Sequence, residues 1–207
     1  MNVIGFDDGP FPRAHRGDVL LVGAVCAGTR LDGVISGKIR RDGADATRRM
    51  VDLVQRSQFR GHVRAVLLQG IAVGGFNVVD VHELSTALGL PVVVIMRRPP
   101  DLDSIRRALF SDDPPLRPRV RGARRKWRLI QQAGAVEALG GDPRSLPRPT
   151  GLGDRPQSLC VQRVGLSLEA VRRLVECTTL HGHVPEPLRL AHLIAGGIGT
   201  GRSRGRA

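Results

Sequence analysis

The chain has 207 residues, 41% of them apolar, which is enough for a sizeable core in a domain of ordinary size. No apolar run approaches the ~18 to 20 residues of a membrane helix, the start lacks the basic-then-apolar layout of a secretory signal, and a cytoplasmic protein without a membrane partner is expected. The formal charge of +13 comes from thirty Arg and only two Lys, Lys38 and Lys126, and points to a polyanionic partner, although the Arg bias also fits a GC-rich genome.

In chain order, "NVIGFDD" reads as a short buried strand ending in two carboxylates, which Pro10 and Pro12 terminate. "DVLLVGAVCAG" and "LDGVISGKIR" are two more strands joined by a tight turn, so an antiparallel meander is expected. "DGADATRRMVDLVQRS" has helical period, with Asp45 or Thr47 as cap. "VRAVLLQ" is a fourth strand, and after a turn containing Gly74 and Gly75 helical spacing resumes through Val78, Val81 and Leu84. "LPVVVIMRR" is nearly continuous in β-branched residues, as in a strand covered on both faces.

Beyond residue 98 the pattern loosens into a helical and loop-rich excursion at about 99–157. It contains the short helix "PPDLDSIRRALF" and the basic helix "GARRKWRLIQQAGAVEAL", with Trp127, Ile130 and Val136 as buried contacts. A late strand "QSLCVQRVGL" and a helix capped by Ser167 follow, then a helix opened by Pro185 or Pro187. The expected layout is one domain over 1–198 and a basic tail over 199–207.

Several kinds of chemistry find no template. Cys26, Cys160 and Cys177 are too scattered for disulfides or zinc and read as small buried residues, and His181 and His183 have no Cys partner at zinc spacing. There is no Walker phosphate loop, no GxSxG elbow, and "GGIGTG" follows a helix rather than a strand, so no organic cofactor is expected. Sparse aromatic residues disfavour a base-stacking platform. What remains are carboxylates at the ends of separated segments on a basic chain, a pattern suited to metal-assisted phosphodiester chemistry. Asp7 and Asp8 alternate along their strand, so only one of them can face a shared site. Asp42 and Asp45 open a helix, where acidic residues also serve as caps, and Glu186 and His192 lie six apart on another.

Three stretches, "VIGFDDGPF", "LLQGIAVGGFNVVDVHEL…GLPVVVIMRRPPD" and "VPEPLRLAHLIAGGIGTGRSRGRA", together resemble the endonuclease dU family, which is distantly similar to endonuclease V. The resemblance implies an α/β fold with an RNase H-like mixed sheet, a three-strand antiparallel meander followed by βα units, flanked by helices. It further implies a Mg²⁺- or Mn²⁺-dependent endonuclease acting on DNA with deaminated bases such as deoxyuridine. Carried over by position, Asp7 is the first-strand metal ligand, Asp42 (with Asp45 as second choice) the next carboxylate, and Glu186 or His192 the late-helix catalytic group. Gln69 stands at the fourth-strand metal position, where the resemblance leads one to expect Asp; an uncharged amide there also admits a catalytically impaired, nucleic-acid-binding member. Arg97, Arg98, Arg124, Arg125 and Lys126 are the expected phosphate contacts.

Overall fold

The computed structural model describes residues 1–110, 120–140, 159–180 and 182–203. The strands are β1 (Asn2–Asp8), β2 (Asp18–Ala27), β3 (Arg30–Arg40), β4 (Val63–Gln69), β5 (Ala72–Val73), β6 (Asn77–Val78), β7 (Val92–Met96), β8 (Glu137–Ala138) and β9 (Cys160–Val164). The helices are α1 (Ala46–Arg56), α2 (Val81–Leu88), α3 (Leu102–Leu109), α4 (Ala123–Gln132), α5 (Leu168–Thr178) and α6 (Glu186–Thr200). Seven strands form one sheet in the order β3-β2-β1-β4-β7-β9-β8, and β5 and β6 pair as a separate hairpin.

The meander is as expected: β1–β2 and β2–β3 are antiparallel. β1, β4 and β7 then run parallel, which requires crossovers, and α1 and α2 supply them. β9 closes against β7 antiparallel. Central strands covered on both faces cannot alternate apolar with polar residues, which explains the uniform run of β4 and β7. On one face Ile4, Phe6, Val66 and Leu68 pack with Met50 and Val54 of α1 and Leu84 of α2. On the other, Val3, Leu67 and Val93 pack with Val171 and Leu174 of α5 and Leu188 of α6.

Helix α6 lies along β1 and β2, with Ala191 and Ala195 against Val22 and Ala24. Such an approach needs small residues, and Gly5 marks its limit: a Cβ there would stand 2.5 Å from the Pro187 carbonyl carbon.

Four expectations change. Val78 belongs to β6, not to a helix; α2 begins at Val81 behind the Asp80 cap, whose side chain accepts from the Glu83 amide. The basic helix stops at Gln132 because Gly134 adopts a φ of 94°, and the chain re-enters as β8, leaving Val136 only half-buried. α6 runs to Thr200 and ends on Gly201 in the left-handed conformation, so residues 199 and 200 are helical. Cys177 is exposed on α5, whereas Cys26 and Cys160 are buried. Much of the 99–157 excursion and His181 lie outside the described residues, but α3 and α4 pack together over the hairpin through Leu109, Leu129, Ile130 and Val78.

Candidate active site

Parallel strands deliver their C-terminal ends to one edge of the sheet, and β1 and β4 end there side by side. The last paired residues are Phe6 and Leu68, so the next step along each strand places Asp7 and Gln69 as neighbours. Period-two alternation puts both on the α6 face, with Val3 and Leu67. Two turns into α6, His192 reaches the same point: its Nδ1 lies 2.8 Å from Asp7 Oδ2. A carboxylate can only accept, so Nδ1 carries the proton and the Nε2 lone pair is left for solvent or substrate. The Asp7 side chain is 14% exposed and His192 is 51% exposed, a buried carboxylate under an accessible imidazole. Burial pushes the Asp7 carboxyl above its ordinary range, against the opposing pull of the His192 hydrogen bond. Gln69 also lines a pocket of about 220 Å³ with Gly70, Ile95, Arg97 and Leu188.

Asp8 points the other way. Its carboxylate takes the Gly74 amide, and desolvation followed by the like charge of Asp7 raises its pKa to about 6. Gly74 thereby links two carboxylate positions, since its carbonyl accepts from the Asp42 amide at 2.8 Å. Asp42 Oδ1 accepts from the Phe76 amide at 2.8 Å and Oδ2 lies 3.2 Å from Arg41 Nε. Lys126, buried on α4, donates to the Asp42 carbonyl, and desolvation lowers its pKa. Asp45 precedes α1 but does not cap it with its side chain. Its Oδ1 instead accepts from Asn77 Nδ2 at 2.7 Å and from the Arg40 amide at 3.2 Å. Asn77, fully buried, completes the junction by accepting from the Ala46 amide and donating to the Arg40 carbonyl.

Of the positions expected from sequence, the structure brings together Asp7, His192 and Gln69. Asp42 and Asp45 do not join them; both face a basic cleft with Arg125 and Lys126. Glu186 is 2% exposed and bound by Arg189 through two hydrogen bonds of 2.8 and 2.6 Å, at the end of α6 that lies near Cys26. Arg97 lies beside Gln69, while Arg98 and Arg124 are exposed. Sequence reasoning did not single out Asn77 or Arg41; a lone Asn among the apolar residues of "GGFNVVD" was the available signal for the first.

Among the described residues no three His, Cys, Asp or Glu side chains converge as a metal cage. At the strand ends the oxygen donors are one carboxylate and one amide. That set fits an ion of the Mg²⁺ kind, which keeps several waters and completes its shell with phosphate oxygens. A site built from several protein carboxylates is not formed by these residues.

The family model for endonuclease dU matches residues 1–199. A UPF0215 protein of Deinococcus radiodurans is 46% identical over 205 residues, covering 99% of this chain and 92% of its own length. Among solved structures, a protein of unknown function from Archaeoglobus fulgidus superposes with a TM-score of 0.77 at 28% identity, over 95% of this chain and 97% of the other. Endonuclease V of Ciona intestinalis, in complex with a 24mer DNA containing an inosine followed by a ribo-adenosine, gives a TM-score of 0.55 at 13% identity, over 92% and 82%. The latter likeness is one of fold. The chain belongs to the endonuclease dU family and has the RNase H-like mixed α/β fold found in endonuclease V.

Proposed function

We propose that this protein is a divalent-metal-dependent endonuclease that cuts DNA containing deaminated bases such as deoxyuridine, with Asp7, Gln69 and His192 at its centre. The observation that carries this reading is the Asp7–His192 contact at the strand edge, a buried carboxylate holding an accessible imidazole in a defined tautomer. Family membership and the DNA-bound endonuclease V of similar fold support the substrate class.

Asp7 and the Gln69 amide oxygen would hold the cation, Mg²⁺ or Mn²⁺. Bound there, it supplies Lewis-acid stabilisation of the charge that develops on the scissile phosphate. Asp7 also orients the His192 ring through Nδ1, so that Nε2 accepts a proton from the attacking water. The water oxygen forms the new bond to phosphorus, the phosphorus–oxygen bond to the leaving strand breaks, and the leaving oxygen takes a proton from solvent while His192 returns its own to solvent. Asp42 and Asp45 serve as wall and brace, and the Glu186–Arg189 pair anchors the start of α6. Mg²⁺-dependent nicking of a uracil-containing duplex tests the assignment. Asp7→Asn should abolish it, and equal nicking by that variant would refute the metal role.

Gln69 favours a second reading, a nucleic-acid-binding member with impaired cleavage, because an amide attracts and neutralises a cation less than a carboxylate does. That reading predicts salt-sensitive DNA binding without product from the natural protein, and product once Gln69→Asp restores a second carboxylate.

A further inference from the structure

On the α1 side of the same sheet edge, three segments enclose a cleft of about 1240 Å³: the 13–17 loop after β1, residues 40–48 joining β3 to α1, and 120–126 leading into α4. Eight Arg and Lys side chains line it against two carboxylates. Both carboxylates are already engaged, Asp42 by the Phe76 amide and Arg41, Asp45 by Asn77 and the Arg40 amide. Arg13, Arg48, Arg121 and Arg125 form no ion pair with another described residue. Like charges gathered in a concavity raise the free energy of the unliganded protein and attract anions strongly.

The Arg41 guanidinium is fixed over the Phe11 ring, with Nη1 donating to the carbonyls of Arg13 and His15 and its buried Nε ion-paired with Asp42 Oδ2 at 3.2 Å outside hydrogen-bond geometry. Lys126 is buried with its ammonium on a carbonyl rather than a carboxylate. The lining is not wholly cationic, because half-buried Phe76 and Ala108 contribute apolar surface over buried Val120. The volume exceeds the ~300–1,000 Å³ of a pocket for one small molecule, which suits several linked units.

We infer that this cleft binds a single nucleic-acid strand, its phosphates on Arg13, Arg48, Arg121 and Arg125 and its unpaired bases against the apolar patch. A duplex keeps its bases stacked inside and presents a convex backbone, so it would leave that patch unused. The cleft adjoins the strand edge through one residue, since the Gly74 amide meets Asp8 and the Gly74 carbonyl meets Asp42. The substrate class rests on the nuclease reading given above; the test does not.

Binding of a labelled single-stranded DNA oligonucleotide, measured by fluorescence anisotropy in EDTA over a salt series, provides that test. R48E/R125E should weaken binding at least tenfold at low salt and lower the slope of log affinity against log salt by about 1 or more, as expected for two lost phosphate contacts at ~0.7 each. R56E/R60E, an equal charge change at the far end of α1 and the loop after it, should leave affinity within about twofold, and hairpin duplex should lose much less than single strand with R48E/R125E. Circular dichroism checks the fold of each variant, and R48Q/R125Q replaces the reversal if it does not fold. Unchanged affinity in the cleft variants, an equal loss in R56E/R60E, or an equal loss for duplex would overturn the inference. If no protein cuts DNA but the cleft result holds, the nuclease reading falls and this one stands; cutting with normal binding by the cleft variants gives the reverse.

Discussion

Asp7 and Asp8 are joined by one peptide bond, yet they meet opposite faces of the sheet and different chemistry. Asp7 gains His192, whereas Asp8 is desolvated beside a like charge, with the backbone amides of Gly74 and of Asp8 itself in partial compensation. A carboxyl whose folded pKa is raised from 3.8 to about 6 binds protons more tightly in the folded state. Stability therefore falls as pH rises through that window, and the full cost persists above it. Asp8→Asn should raise the melting temperature of the EDTA-treated protein near neutral pH, by no more than about 2 kcal/mol of stability once partial exposure is allowed for, and the gain should vanish near pH 4. Thermal melts of both proteins across pH check this, and a gain independent of pH would contradict it. His192→Ala should lower nicking by about 10²- to 10⁴-fold, the usual contribution of a positioned proton-transfer group, with DNA binding retained. Single-turnover kinetics read that loss. At this scale the sequence shows that Asp7 and Asp8 must face apart, because alternation is a local property. It does not show which one meets His192, because that contact joins residues 185 positions apart and depends on where α6 lies.

At the scale of elements, the hairpin of β5 and β6 connects the carboxylate-bearing segments, and its turn has little room. Gly75 adopts a φ of 82°, and a Cβ there would run into the Asp42 carboxylate. Gly75→Ala should therefore cost about 1–3 kcal/mol, from left-handed strain together with displacement of Asp42. Urea titration measures that cost, and a loss below about 0.5 kcal/mol would show the turn to be slack. Long elements were legible: β4 and β7 through continuous apolar runs, α1 through Met50 and Val54 at helical spacing. The hairpin was not, because two-residue strands carry no period, and its Val78 fits the helical spacing of Val81 and Leu84. A helix start calls for a cap from Asp45 or Thr47, but the Asp45 side chain makes no cap hydrogen bond, because buried Asn77, arriving from the hairpin, takes its carboxylate instead.

Across the whole molecule, the charge of +13 has a location as well as a sign. Arg13, Arg40, Arg48, Arg121 and Arg125 come from three separated stretches, and only the folded sheet edge brings them around one cleft. Charge counting alone therefore favoured the contiguous basic helix, of which Arg125 and Lys126 line the cleft and Arg124 does not. The fold class was accessible because the order of strands and helices restricts the topologies available. The donor set at Asp7 was not, since chain separation gives no measure of how far Asp42 and Glu186 stand from it. Asp7 and His192 stand at the centre of the proposed metal-dependent cut. Its most direct test is incision of uracil-containing, inosine-containing and unmodified duplexes with and without Mg²⁺ or Mn²⁺, using the natural protein beside Asp7→Asn. Metal-dependent nicking of a deaminated substrate that disappears in Asp7→Asn is the predicted result; undiminished nicking by that variant, or product that forms equally in EDTA, would contradict it.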